Sequence, residues 1–475
     1  SYSVTGVQTC ALPILAAVKG YVKSGADTVF LFGNIGVWRT DSAFRTFQDM
    51  NAGFPPGIDN RKISSLCQSS SGGLYAGTFF GLFRWEGHLW QKVTLPVESP
   101  RIVRVLATGD SLWVMTRSEL FLATSDSGFG TFRRMVLPAG ENDDGKVGLF
   151  NTLWVIHSGE IYGLPGKLIV DAAGLVFIIL SVTGLICFFM PGILKRVRSE
   201  QRRVKLKKFN RGSLRWHNIL GSWAILILLL NTATGMFLRP PLLIPIAGER
   251  VSKLKYTDLD DPNPWFDRLR DILYEKETGR FIIATSEGIY YSDDGFRTAM
   301  KSFPVQPPVS VMGINVFREI SPGRYMVGSF SGLFEWSPNS GEVRDAITGI
   351  PHRPSDGGAP PFGSVSVAGM AEGPGASSVI FDYAMGVMAI RGDNFMPPMP
   401  SQITDNSPIS LWNACLEIHT GRIFEPVLGM FYILVVPVVG LITLFILISG
   451  FFAWWLSRRK KRVIPLPGQD KPSLP

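Results

Sequence analysis

Between residue 27 and about residue 140, apolar and aromatic residues gather in short runs separated by Gly, Asp and Ser. Asp27-Thr28-Val29-Phe30-Leu31-Phe32-Gly33 leads to Gly36-Val37-Trp38-Arg39-Thr40-Asp41 and then Phe44-Arg45-Thr46-Phe47. A second pass places Gly73-Leu74-Tyr75-Ala76-Gly77-Thr78 before Gly81-Leu82-Phe83-Arg84-Trp85, and a third places Ser111-Leu112-Trp113-Val114-Met115-Thr116 before Leu120-Phe121-Leu122-Ala123. Runs this short, rich in β-branched and aromatic residues and recurring at roughly 40 residues, predict strands arranged as propeller blades.

The pattern returns later in the chain. Gly288-Ile289-Tyr290-Tyr291 and Phe296 repeat the first pass, and Gly332-Leu333-Phe334-Glu335-Trp336 repeats the second. Phe44 and Phe296 stand 252 positions apart, Gly81 and Gly332 251. Ser378-Val379-Ile380-Phe381 with Gly386-Val387-Met388-Ala389-Ile390 is a weaker third pass. Two near-equal offsets predict an internal duplication. Three blades in each half would close into one six-bladed β-propeller and so remove exposed sheet edges. Residues 354–374, rich in Gly, Pro and Ser, are expected to be a loop between blades.

Two longer apolar runs, residues 168–189 and 427–452, and a third following residue 215, have a different meaning. Each is long enough to cross the roughly 30 Å hydrocarbon layer as a helix. The first is preceded by Ile156-His157-Ser158-Gly159-Glu160-Ile161-Tyr162 and the second by Ile418-His419-Thr420-Gly421-Arg422-Ile423-Phe424, so the duplication extends to a histidine at the mouth of each span.

Charge then orients the spans. The chain is 46% hydrophobic and 18% charged with a net charge of +9, a balance that fits a membrane protein with large aqueous parts. Ten Lys/Arg against Glu200 between 195 and 215 account for +9 and the five cations at 458–462 for +5, which leaves the rest net −5. This excludes a general nucleic-acid-binding surface and places both basic stretches in the cytoplasm. His157 and His419 are then expected on the outer side, His217 on the inner. The exposed parts of the spans face membrane lipid.

The expected order is a first propeller half at 15–150, a transmembrane helix at 151–192, a basic loop at 193–214, a second helix at 215–238, the second half at 239–410, a helix with its outer histidine at 411–457 and a basic tail at 458–475. Residues 1–14 are expected to be an artefact, because Val4 to Ile14 read as the in-frame translation of a common sequencing adapter. The duplication further predicts a fourth span ahead of the first half. Cys67, Cys187 and Cys415 show neither metal-ligand spacing nor a disulfide framework.

At His157-Ser158-Gly159, Gly163, Gly166 and Thr183-Gly184, at Trp216-His217-Asn218-Ile219-Leu220-Gly221 and Thr234-Gly235, and at His419-Thr420-Gly421 and Ser449-Gly450, the chain resembles the PepSY-associated transmembrane family. That resemblance implies a four-helix membrane unit, and in some members b-type haem and reduction of ferric siderophores. The blades are a departure from the family's usual small extracytoplasmic domain, so the substrate inference does not carry over.

Candidate chemistry follows from the histidines. Two imidazoles at one membrane depth can hold haem iron in a bundle, each with its second ring nitrogen on a backbone carbonyl or a water. His157 and His419 are the expected iron ligands, and His217 a third cofactor-binding residue at the inner face. The competing reading makes the same histidines polar anchors at helix ends. Asp171, inside a span, is either near the cofactor or among headgroups. His88 and His352 fall in blade or loop segments. Trp454-Trp455 fits an interfacial aromatic belt, and Asp293-Asp294-Gly295 a hairpin turn rather than a calcium loop. No catalytic triad or carboxylate pair is visible. Two functions remain: an inner-membrane b-type haem protein passing electrons to a periplasmic acceptor, or a cofactor-free anchored propeller for binding or sensing.

Overall fold

A computed structural model of the chain describes residues 18–463 apart from 98–99, 311, 353–362, 364 and 384. The expected artefact at 1–14, the fourth span and most of the basic tail lie outside the described residues. The chain divides into two compact units. One holds the strands: residues up to Gly148, Arg250–Lys253 and Asp261–Gly429. The other holds Leu149–Glu249, Leu254–Asp260 and the residues from Met430 onward.

In the β-rich unit the strands form six antiparallel sheets, each a simple meander in chain order. They are β1–β4 (Val18–Ser24, Thr28–Gly33, Gly36–Asp41, Phe47–Asp49), β5–β8 (Ile63–Gln68, Leu74–Thr78, Gly81–Trp85, Trp90–Val93) and β9–β12 (Ile102–Thr108, Ser111–Thr116, Leu120–Thr124, Arg133–Met135). After the short pair β13 (Lys146–Gly148) and β14 (Arg250–Ser252) come β15–β18 (Leu269–Glu275, Arg280–Thr285, Ile289–Ser292, Lys301–Ser302) and β19–β22 (Ile314–Ser321, Arg324–Ser329, Gly332–Ser337, Glu342–Asp345). The last sheet is β23–β25 (Val367–Glu372, Ser378–Asp382, Gly386–Arg391).

Neighbouring sheets are joined through their first strands: β1 lies against β5, β5 against β9, β9 against β15, β15 against β19, β19 against β23, and β23 against β1. A separate apolar cluster fills each of these six interfaces. Between the last sheet and the first, a Cβ on Gly369 would stand 2.1 Å from the Val18 carbonyl oxygen, so only glycine admits that approach. Trp38, Trp90 and Trp336 are almost wholly buried, and their indole N–H groups donate to the carbonyls of Ile35, Met50 and Val305. Truncating an aromatic side chain in such a core costs about 3–5 kcal/mol.

The duplication is visible in backbone strain. Phe44 and Phe296, paired in the sequence, both adopt positive φ (56° and 71°), and Phe129 repeats this at 56°. In the first turn the Asp41 carboxylate accepts from the backbone N–H groups of Ala43, Arg45 and Thr46, and in the equivalent turn of the fourth sheet Asp294 accepts from the Ser292 and Thr298 hydroxyls and the Arg297 N–H. Such local acceptors hold a side chain in a region that β-carbons disfavour.

Two elements depart from expectation. Residues 354–374 are not loop throughout, because β23 runs over Val367–Glu372 with Val367, Met370 and Ala371 buried. Its Gly and Ser neighbours conceal an apolar run. The basic loop at 193–214 is helical except at 197–199.

The membrane unit contains α1 (Leu149–Ser158), α2 (Gly163–Arg196), α3 (Glu200–Met236) and α7 (Val435–Val463). The shorter helices α4 (Ser401–Asp405), α5 (Leu411–His419) and α6 (Glu425–Leu428) belong to the β-rich unit. Among the described residues three segments are long and apolar enough to cross a membrane: Glu160–Arg196, Glu200–Met236 and Arg422–Arg459. Their outer faces carry Ile178, Phe188, Trp223, Leu226 and Phe445, each more than half exposed, as suits a helix solvated by lipid. Ala173, Leu180 and Leu228 pack α2 on α3, joined by Leu447 of α7.

Candidate functional site

Each histidine named from the sequence has a definite place. His157 lies near the end of α1, a short helix of its own, and not on the span that follows. Gly159, with φ 78°, ends α1, and Gly163, with φ 56°, starts α2 in a new direction. The backbones of Gly159 and Gly166 touch: a Cβ on either would stand 2.3 or 2.1 Å from the other's carbonyl oxygen. This contact accounts for two of the glycines that carried the resemblance, and the positive φ of Gly163 for a third. His419 ends α5 in the same manner, with Gly421 at φ 73° two residues on. His419 is exposed and belongs to the β-rich unit.

His157 packs on α3. Its Nδ1 is 3.0 Å from the carbonyl oxygen of Asn231, an atom that can only accept, so Nδ1 carries the proton and the lone pair resides on Nε2. Asn231 returns a bond from its side-chain amide to the His157 carbonyl at 2.8 Å. The imidazole rests on Gly235, where a Cβ would come within 2.6 Å of Cε1. The Thr234 hydroxyl stands 3.5 Å from Nδ1 and donates back to Leu230 at 2.8 Å.

His217 repeats the arrangement on the other helix. Its Nδ1 lies 2.8 Å from the Thr183 hydroxyl, whose single proton is already directed to the Ile179 carbonyl at 2.7 Å. The hydroxyl therefore accepts, Nδ1 is again the protonated nitrogen, and Nε2 holds the lone pair. A Cβ on Gly184 would lie 3.5 Å from the His217 ring. In both cases a Thr-Gly step on one helix cups an imidazole from another. Fourteen positions of α3 separate Asn231 from His217, so the two rings are set apart by about 21 Å along the helix axis.

His217 also lines a cavity of about 670 Å³ between α2, α3 and α7. Its walls are mostly apolar and include one glycine from each helix, Gly184, Gly221 and Gly450. Nothing approaches within 4 Å of a Cβ built on Gly450, and only Leu180 does so at Gly221. A mostly apolar lining and one imidazole with its lone pair on Nε2 fit a haem-sized group that this histidine would ligate, within the roughly 300–1,000 Å³ of cofactor pockets. His217 is the sole histidine among the lining residues.

The remaining candidates fall elsewhere. His88 is exposed, and His352 is packed edge-on against Phe334 at 5.4 Å. Asp171 is exposed on α2. Asp293 pairs with Arg280 at 2.7 Å and with Lys301 at 3.3 Å, within a turn. Asn231 was missed in the sequence, although an amide directly after Leu228-Leu229-Leu230 was the available signal.

Comparison with known proteins agrees with the membrane part. No curated protein matches the chain. Among solved structures, the extracellular domain of a proposed one-component system from B. thetaiotaomicron aligns with a TM-score of 0.37 at 11% identity over 78% of this chain and 31% of its own. The extracellular domain of a proposed hybrid two-component system of the same organism aligns at 0.34 and 11% over 78% of this chain and 39% of its own. PorZ, a surface component of the type-IX secretion system of Porphyromonas gingivalis, aligns at 0.24 and 9% over 77% and 44%. The chain thus spans less than half the length of each. The model of the PepSY-associated TM region matches residues 124–458, which cover α1 to α3, α7 and the sheets between them. This chain belongs to the PepSY-associated transmembrane family.

Proposed function

We propose that the chain is a b-type haem protein of the bacterial inner membrane that passes electrons across the bilayer to a periplasmic acceptor. The observation that carries this reading is the repeated imidazole cradle. In it a Thr-Gly step or a backbone carbonyl fixes Nδ1–H, and Nε2 is left as the basic nitrogen. His217 beside the glycine-walled cavity is the inner-face ligand. His157 and His419 are assigned as the iron ligands of the outer face. Haem supplies one-electron transfer when bound.

The chain's own residues would bind and orient. Thr183 and Asn231 would hold the rings in one tautomer and rotation, which raises ligand basicity. Leu180, Phe177 and Ile446 would keep water from the inner cavity.

The basic residues of 195–215 assign that end of α2 and α3 to the cytoplasm, with the β-rich unit in the periplasm. Six meanders whose first strands neighbour one another in a cycle support a six-bladed propeller.

Absorption spectroscopy of the detergent-purified full chain, expressed with haem supplied, tests the reading. A Soret band that falls on His217→Ala and on His157→Ala or His419→Ala is the expected result. A well-folded, colourless preparation would assign the chain instead to the cofactor-free binding or sensing class.

A further inference from the structure

The six first strands of the β-rich unit, β1, β5, β9, β15, β19 and β23, together line a cavity of about 580 Å³. Alternation along a strand turns every second side chain toward it. The charged side chains among them are Lys19, Lys23, Arg104 and Arg318 against Asp271 and Glu372, a net of +2.

Both carboxylates are already engaged. Asp271 pairs with Arg104 at 3.2 Å and accepts from the Ile272 N–H at 2.8 Å. Glu372 accepts from the Tyr21 hydroxyl and lies 4.0 Å from Lys23. The cations are less well matched. Lys19 is drawn to Asp271, which Arg104 already holds at 3.2 Å, and the Arg104 Nε–H is buried without a well-aligned hydrogen-bond acceptor. Arg318 sits over the Tyr21 ring at 4.2 Å. Cations thus outnumber carboxylates around the cavity by four to two, and a ligand that brings acceptor oxygens and negative charge would match them.

We infer that this cavity is a binding site for a small polyanion whose charge is carried on carboxylate or phosphate oxygens, held by Lys19, Arg104 and Arg318. Burial holds the Lys19 ammonium below the usual lysine range, a penalty that an anion beside it would offset. The site does not depend on whether the membrane unit carries haem. A neutral sugar would leave Lys19 and Arg104 to share the one Asp271 carboxylate.

Isothermal titration calorimetry on the detergent-solubilised full chain, at constant ionic strength, decides the matter with citrate, pyrophosphate and neutral glycerol as probes. Saturable binding of citrate or of pyrophosphate, with none of glycerol, is expected, and the tighter of the two names the oxyanion. Lys19→Met should weaken binding by about tenfold or more, the loss of one charge-assisted hydrogen bond. Lys19→Arg should retain it, as should Lys276→Met, an exposed lysine elsewhere in the unit. If Lys19→Met loses its near-ultraviolet circular dichroism, Gln68→Glu supplies the second reading, because it adds a like charge to the ligand inside the cavity. No binding by folded protein, or undiminished binding in the folded cavity variant, overturns the inference.

Discussion

The His157 imidazole lies directly on Gly235, so close that a β-carbon there would fall 2.6 Å from Cε1 and 3.0 Å from Nδ1. Gly235→Ala must therefore push the ring off its seat or part α1 from α3. A loss of about 1–3 kcal/mol is expected, as for other overpacked sites. Gly174→Ala, in open space on α2, should instead be neutral or stabilising by up to about 1 kcal/mol. Thermal melts of the two variants in the same detergent compare them, and equal melts would show that the ring does not rest there.

Thr183 acts on His217 through one hydrogen bond at 2.8 Å. Thr183→Val keeps the shape and removes the acceptor, which should cost about 1–3 kcal/mol by leaving the Nδ1 proton unsatisfied. Thr183→Ser should restore it. In protein carrying haem, redox titration should show a shifted midpoint potential for Val and a near-native one for Ser, a distinction that a packing role alone would not produce.

Between the first and last sheets, Gly369 meets the Val18 carbonyl. Because the obstacle is backbone, Gly369→Ala can be relieved only by moving β1 from β23. Destabilisation of more than about 2 kcal/mol is expected in urea unfolding followed by tryptophan fluorescence. An unchanged midpoint would mean that these strands do not adjoin.

Acid should loosen the phenylalanine turns. The Thr46 hydroxyl and the N–H groups of Arg45, Thr46 and Ala43 hold the Asp41 carboxyl down at about 2. A pKa lowered on folding gives stability that is fully present above the ordinary carboxylate value near 4, and that stability fades as pH falls through the folded value. Asp41→Asn should flatten the acid limb of the stability profile between those two values, and a profile parallel to the parent's would refute the assignment.

Thiol labelling should separate two cysteines. Burial pushes the Cys67 thiol up to about 12, whereas Cys415 is exposed. At pH 8, with the thiolate the reactive species, iodoacetamide should modify Cys415 and spare Cys67 until the protein is denatured. Peptide mass spectrometry reads both.

Which parts of this architecture were legible in the sequence follows from what each strand faces. The middle strands, such as Leu74–Thr78 and Ser111–Thr116, are buried on both sides and stand out as apolar runs. The first strands are not. In Val18–Ser24 one face packs while the other gives Lys19, Tyr21 and Lys23 to a polar cavity, so the segment resembles a surface turn until its neighbours are known. The basic half of α3 lacks an apolar stripe, although its Lys, Arg and Gln are good helix formers, and helix propensity was the signal there. His157, His217 and their Thr-Gly steps were each visible as motifs. Their pairing was not, because it joins positions 34 and 77 residues apart whose contact only helix packing creates.

The pairing of Lys146–Gly148 with Arg250–Ser252, with Gly148 opposite Arg250, has a topological corollary. The hundred or so residues spanning α1 to α3 leave and rejoin the strand framework through one doorway. They behave as a cassette slotted between adjacent bases of a hairpin, so a tight turn spliced from Gly148 to Arg250 would close the gap without altering register on either side.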